Sequence, residues 1–162
     1  MSLFQRVRPW ALPASLMLAI LAGCGSTPKI DGDNPEKLYA EAKDDLSSGS
    51  FEKAIKGLER VEGRAAGTLL AQQALMDMAY AQWKSNERVQ AIATVDRFIK
   101  LYPSSPAMDY ALYLKGLVNF NDNLGILSGV SKQNISERDQ QASRDAYQSF
   151  KQLVEQYPDS RY

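Results

Sequence analysis

From residue 35 onward the large apolar side chains recur three and four positions apart and almost never alternate, which is the spacing of helices with one buried stripe. The pattern opens at Asn34-Pro35-Glu36, an N-cap residue followed by a first-turn proline and an early acid, and this places the start of the first helix. Small residues punctuate the stripe. Ala42, Ala79 and Gly116 stand 37 apart, as do Ala54 and Ala91, and in the first two units the paired small positions are separated by 12. A helix, a turn and an antiparallel helix need about that separation, and small side chains at the crossing let two backbones approach while large neighbours fill the grooves. The chain is therefore expected to be all-α and built from repeated helix pairs.

Turn residues fall where this scheme needs them. Gly49-Ser50 precedes Phe51, Ala54, Ile55 and Leu58; Ser85-Asn86 separates Ala79 and Trp83 from Ala91, Ile92, Val95 and Phe98, and Tyr102-Pro103 closes that unit. The layout resembles tetratricopeptide repeats and implies an α-solenoid of three helix pairs over 35–162, with repeats at about 35–67, 68–104 and 105–162. The first unit fits least well. Glu41 and Asp45 occupy slots usually apolar, and Val61-Glu62-Gly63-Arg64 stands where a proline turn belongs. In the third unit the small positions Gly116 and Ala146 are 30 apart, so a long loop of about 18 residues is inserted within 122–141 before Phe150, Leu153 and Pro158 resume the register. Insertions that leave both flanks in register are surface excursions, and the apolar, glycine-bounded run Leu124 to Val130, with Ile126 and Leu127 at its centre, is expected to touch a partner.

Upstream of Asn34 the pattern changes. Arg6 and Arg8 precede a 12-residue apolar run from Trp10 to Leu21, which ends in Leu21-Ala22-Gly23-Cys24. A spanning helix needs about 20 apolar residues, so residues 1–23 read as a signal peptide to be removed. Cys24 behind small residues resembles the lipobox of bacterial lipoproteins, which implies cleavage before Cys24 and lipidation of its sulfur; an incidental thiol is the plainer alternative. Two or three acyl chains would anchor the protein durably where one would not. Gly25 rather than Asp follows the cysteine, and by the sorting rule of such lipoproteins this implies the periplasmic face of the outer membrane. Residues 24–34, rich in Gly, Ser, Pro, Asp and Asn, then form a lipidated flexible tether. Asp31, Asp33 and Asn34 look like the opening of a calcium loop, but Ala42 stands where its bidentate Glu is required.

Composition narrows the chemistry. Lys+Arg and Asp+Glu both number 19 in 162 residues, which offers no basic excess for nucleic acid. The chain has no histidine, and this removes the commonest general base, the commonest metal ligand and every triad that depends on one. Cys24 is the only cysteine, so no intrachain disulfide is available. The neighbouring acids Asp44 and Asp45 point away from each other on a helix and form no catalytic pair. The expectation is a protein that is not an enzyme and that needs no cofactor or metal.

Solenoids of helix pairs bind along the surface made by their first helices. Register places Tyr39, Met76, Tyr80, Trp83, Tyr110, Tyr113 and Phe120 on that surface, beside Lys43, Leu46, Gln73, Lys84 and Leu117. Each aromatic has two readings, packing between helices or facing a guest; Tyr80 and Trp83 are favoured for the second. Tyr and Trp combine wide apolar contact, a polar handle and little rotamer entropy, and an extended peptide is the natural guest for such a groove.

Further motifs carry a closer likeness. Asp109-Tyr110-Ala111-Leu112-Tyr113-Leu114-Lys115-Gly116-Leu117, the inserted third repeat, and the pair Tyr102-Pro103-Ser104-Ser105 and Tyr157-Pro158-Asp159-Ser160-Arg161-Tyr162 resemble the BamD (ComL) family of outer-membrane protein assembly lipoproteins. The resemblance implies a non-enzymatic subunit of the β-barrel assembly machine. Such a subunit docks on BamA, contacts the other Bam lipoproteins and recognises unfolded outer-membrane β-barrel precursors for insertion. Family members carry further repeats, so the resemblance also implies a chain that stops short of the full array, and it assigns no BamA-contact residues here. Another periplasmic tetratricopeptide lipoprotein, such as a secretin pilotin or a cell-wall coordinator, is the alternative.

Overall fold

The computed structural model describes residues 34–120 and 137–162. Among them are six helices and no strand: α1 (Pro35–Ser47), α2 (Phe51–Arg64), α3 (Leu69–Lys84), α4 (Arg88–Leu101), α5 (Met108–Asn119) and α6 (Glu137–Gln156). The expected signal peptide, Cys24 and the expected tether up to Asp33 lie outside the described residues, as does Leu124 to Val130. Each helix packs on the next in chain order, and α3 also touches both α1 and α5. This is the connectivity of a solenoid of three helix pairs, with first helices α1, α3 and α5 side by side.

The helix ends explain why the chain breaks where it does. Asn34 Oδ1 accepts from the Lys37 N–H at 3.0 Å with Pro35 in the first turn, and Thr68 Oγ1 accepts from the Ala71 N–H at 3.3 Å. Both satisfy donors that a helix start leaves without partners. The hairpin turns of the first two pairs are built alike. Gly49 and Asn86, 37 apart, adopt left-handed backbone at φ 77° and 66°. Their N–H groups donate to Leu46 and Trp83 at 3.1 Å, while those of Ser50 and Glu87 donate to Asp45 at 2.8 Å and Gln82 at 2.7 Å. These are the paired bonds of a Schellman cap, which turns the chain and absorbs the last carbonyls.

The turns between pairs repeat as well. Tyr102 and Tyr157 N–H donate to Phe98 and Leu153 at 2.9 and 2.8 Å, and Ser105 and Ser160 N–H each donate to the preceding tyrosine carbonyl at 3.0 Å. Each serine hydroxyl then reaches the previous first helix, Ser105 donating to Gln72 Oε1 at 2.7 Å and Ser160 to Asp109 Oδ2 at 2.8 Å. Gln72 and Asp109 are again 37 apart. The first unit lacks the proline, and Gly67 at φ 81° supplies its corner, with the Thr68 N–H on the Ala65 carbonyl at 3.0 Å.

The small-residue series lies where the helices cross. Ala42, Ala54, Ala79, Ala91, Gly116 and Ala146 are all buried, around a core led by Phe98, Leu58, Leu75, Met78 and Leu114. A Cβ on Gly57 would come within 3.0 Å of Ala42 Cβ, and one on Gly116 would overlap the Phe150 ring. One expectation is corrected here. The stretch 122–141 is not loop to its end, because α6 begins at Glu137 and takes in 137–141. Helix-forming Glu, Arg and Gln residues carry the helix backwards, and Gln141 Nε2 donates to Asp145 Oδ1 one turn on at 2.8 Å.

Candidate peptide-binding face

The 37-residue register brings side chains of α1, α3 and α5 to one face, and a carboxylate from α3 organises it. Asp77 Oδ2 accepts from Tyr39 Oη at 2.7 Å and from Lys43 Nζ at 3.1 Å, so both α1 side chains converge on one α3 oxygen. The Lys43 ammonium also stands 6.0 Å from the centre of the Tyr39 ring. One turn along α3 from Asp77, Tyr80 meets Trp83 edge to face at 6.0 Å, and Lys84 Nζ lies 5.5 Å from the indole centre. Across on α5, Tyr110 and Tyr113 hold Tyr162 between them at 5.1 and 5.3 Å, and Tyr113 also contacts Phe150 at 6.3 Å.

Electrostatics tie the two ends together. Burial pushes the Tyr110 phenol up to about 12, and the Asp77 charge adds to the shift, followed by Tyr162, Tyr80 and Tyr113. Burial likewise raises Tyr39 well above the ordinary tyrosine range, helped by its hydrogen bond to Asp77 and the Asp77 charge. Both phenols therefore remain protonated donors at any physiological pH.

The aromatics chosen from register do not all share one role. Tyr39, Tyr80, Trp83 and Tyr110 are half-buried, with their inner edges on the core. Tyr113 is half-buried too, but Phe150 and Tyr162 stand against its ring. Met76 is 4 % exposed and belongs to the core, so it is withdrawn from the groove: at its point on α3 the stripe turns inward. Phe120, 59 % exposed, caps the end of α5 and joins no ring pair among the described residues. Sequence reasoning missed Asp77 and Tyr162. Asp77 had a signal, being the only acid in α3, while Tyr162 enters the cluster through the Tyr157-Pro158 turn.

Elsewhere a cavity of about 380 Å³ opens between α1 and α2, floored by Leu38, Ala42 and Gly57 and edged by Asp45 and Lys53, which pair with each other at 2.8 Å. Among the described residues no group of three or more His, Cys, Asp or Glu could hold a metal ion, and no helix is long and apolar enough to cross a membrane.

Comparison with known proteins agrees with the repeated helix pairs of the fold. The family model described as Tetratricopeptide repeat matches residues 27–162. The chain belongs to the tetratricopeptide repeat family. Curated relatives add the closer likeness that the Tyr-Ala-Leu-Tyr-Leu-Lys-Gly stretch implies. The outer membrane protein assembly factor BamD of Neisseria meningitidis serogroup B (strain MC58) is 44 % identical across 93 % of this chain and 59 % of its own length. That of Vibrio cholerae is 32 % identical, over 93 % of this chain and 63 % of its own, and that of Haemophilus influenzae 28 %, over 98 % and 60 %. The chain thus spans about three fifths of the length of the relatives it matches.

Proposed function

We propose that this chain is the substrate-recognising part of a non-enzymatic lipoprotein subunit of the β-barrel assembly machine, held by lipid on Cys24 at the periplasmic face of the outer membrane. It scaffolds the complex with BamA and the other Bam lipoproteins, and it receives unfolded outer-membrane β-barrel precursors before their insertion. Its domains are a signal peptide (1–23), a lipidated tether (24–34) and the repeat domain (35–162). The observation that carries the reading is the aromatic face shared by α1, α3 and α5, on a chain whose relatives are named outer membrane protein assembly factors.

The chemistry supports it. A β-barrel precursor is an extended chain in which apolar and aromatic residues alternate with polar ones. Half-buried tyrosines and a tryptophan offer flat apolar contact with hydroxyl or N–H handles, which suits many such segments without demanding one sequence.

The test is in vivo crosslinking from a photoreactive residue at Trp83, with Val89, exposed on α4, as the control position. Nascent β-barrel proteins are expected on the Trp83 probe and not on the Val89 probe. Recovery of only secretin or cell-wall proteins would overturn the assignment in favour of another tetratricopeptide lipoprotein.

A further inference from the structure

The carboxylate at the centre of the aromatic face is chemically out of place there unless it has a task. Asp77 is the only acid on α3, its side chain is 20 % exposed, and it stands amid tyrosines from three helices. Tyr39 is fixed to it by a 2.7 Å hydrogen bond, Tyr80 lies one turn away on the same helix face, and Tyr110 across on α5 feels its charge. A carboxylate beside a tyrosine ring attracts a cation, because the carboxylate supplies charge and a ring face adds cation–π attraction, as the Tyr39 ring does for Lys43 at 6.0 Å.

The protein already puts a cation there. Lys43 Nζ sits 3.1 Å from Oδ2 and 6.0 Å from the Tyr39 ring centre, at the end of a flexible side chain that is 48 % exposed. An exposed ammonium engaging one oxygen is weakly held. A guanidinium spans both oxygens of a carboxylate and is more weakly hydrated than an ammonium, so it is the better occupant.

We propose that Asp77, framed by Tyr39, Tyr80 and Tyr110, is a subsite for a basic side chain, arginine above lysine, on an extended polypeptide segment lying across α1, α3 and α5, with Lys43 filling it when no guest is bound. The proposal rests on the reading of this face as a peptide groove and adds to it a sequence preference. Residues flanking the basic one on the guest lie on Tyr80 and Trp83. The Lys43 ammonium swings into solvent when the guest enters, so it acts as an internal competitor.

The experiment measures binding of the full chain to three synthetic peptides, identical in their alternating Val and Thr frame and single Tyr, that carry Arg, Gln or Glu beside the Tyr. The Arg peptide is expected to bind about tenfold more tightly than the Gln peptide, and the Glu peptide most weakly. Asp77→Asn keeps an oxygen for the Tyr39 hydroxyl and removes the charge, so it should bring Arg and Gln peptides to near-equal affinity. Lys43→Met, a change to an exposed side chain, should tighten the Arg peptide by up to about fivefold. Arg and Gln peptides that bind the native chain equally would overturn the subsite while leaving the groove. Discrimination that persists in Asp77→Asn, or Arg binding weakened by Lys43→Met, would overturn it as well. Failure of all three peptides to bind would remove the groove reading and the subsite together.

Discussion

Gly116 shows how much a single residue can decide in this fold. It takes the place that alanine holds in the first two units, and the missing methyl is what admits the Phe150 ring at the crossing of α5 with α6. Gly116→Ala should destabilise the chain by up to about 2 kcal/mol in a denaturant titration, since overpacking costs about 1–3 and the gain in helix propensity returns about 1. Restoring space with Phe150→Leu should recover part of the loss. Tyr110 governs a second property. Its phenol titrates at about 12 in the fold against 10.0 in the ordinary case, so between those values the unfolded chain has released a proton that the folded chain keeps. The unfolded state then binds fewer protons, and stability falls as pH rises. The contribution is whole below pH 10 and is lost as pH climbs toward 12. Unfolding free energies measured from pH 9 to 12 should decline along this course, and Tyr110→Phe should flatten part of the decline, with Tyr39 keeping the remainder in the same direction.

Among the elements, the hairpin turns are the ones that local sequence settles most fully. Gly49 and Asn86 hold equivalent left-handed positions in equivalent Schellman caps, but only glycine adopts that backbone without cost. Asn86→Gly should stabilise the second pair by a few tenths to about 1 kcal/mol, and Asn86→Ala should destabilise it by about 1 kcal/mol, both read from thermal unfolding. The inter-pair corners follow a different logic. Tyr102-Pro103 and Tyr157-Pro158 announce themselves, whereas the first unit turns on Gly67, which no proline marks. The start of helix α6 at Glu137 is unmarked for a related reason. The small-residue register locates where α5 and α6 cross at Gly116 and Ala146, and it carries no information on how far a helix continues beyond its crossing.

At the scale of the whole molecule, neighbouring pairs are held by a thin set of polar ties laid over the apolar core. Tyr39 and Lys43 reach Asp77 between α1 and α3, Glu62 and Arg97 form a two-point fork at 2.9 Å between α2 and α4, and Lys115 meets Asp96 at 2.6 Å between α5 and α4. Ion pairs that keep at least one partner open to solvent contribute little each, so the stacking energy resides chiefly in the buried Ala, Leu, Val and Phe positions that recur with the repeat. Those positions follow from the chain alone. Helical spacing, the 37-residue period and the turn residues determine three helix pairs and their crossings, because each depends on contacts close in sequence or repeated at a fixed interval. The aromatic face proposed to bind does not follow in the same way. Tyr39, Asp77 and Tyr110 lie 38 and 33 residues apart and meet only because stacking places α3 between α1 and α5. Helical register gives each of these residues an angle around its own helix; which angles turn toward a neighbouring helix, as for Met76, or toward solvent is settled by how closely the helices pack.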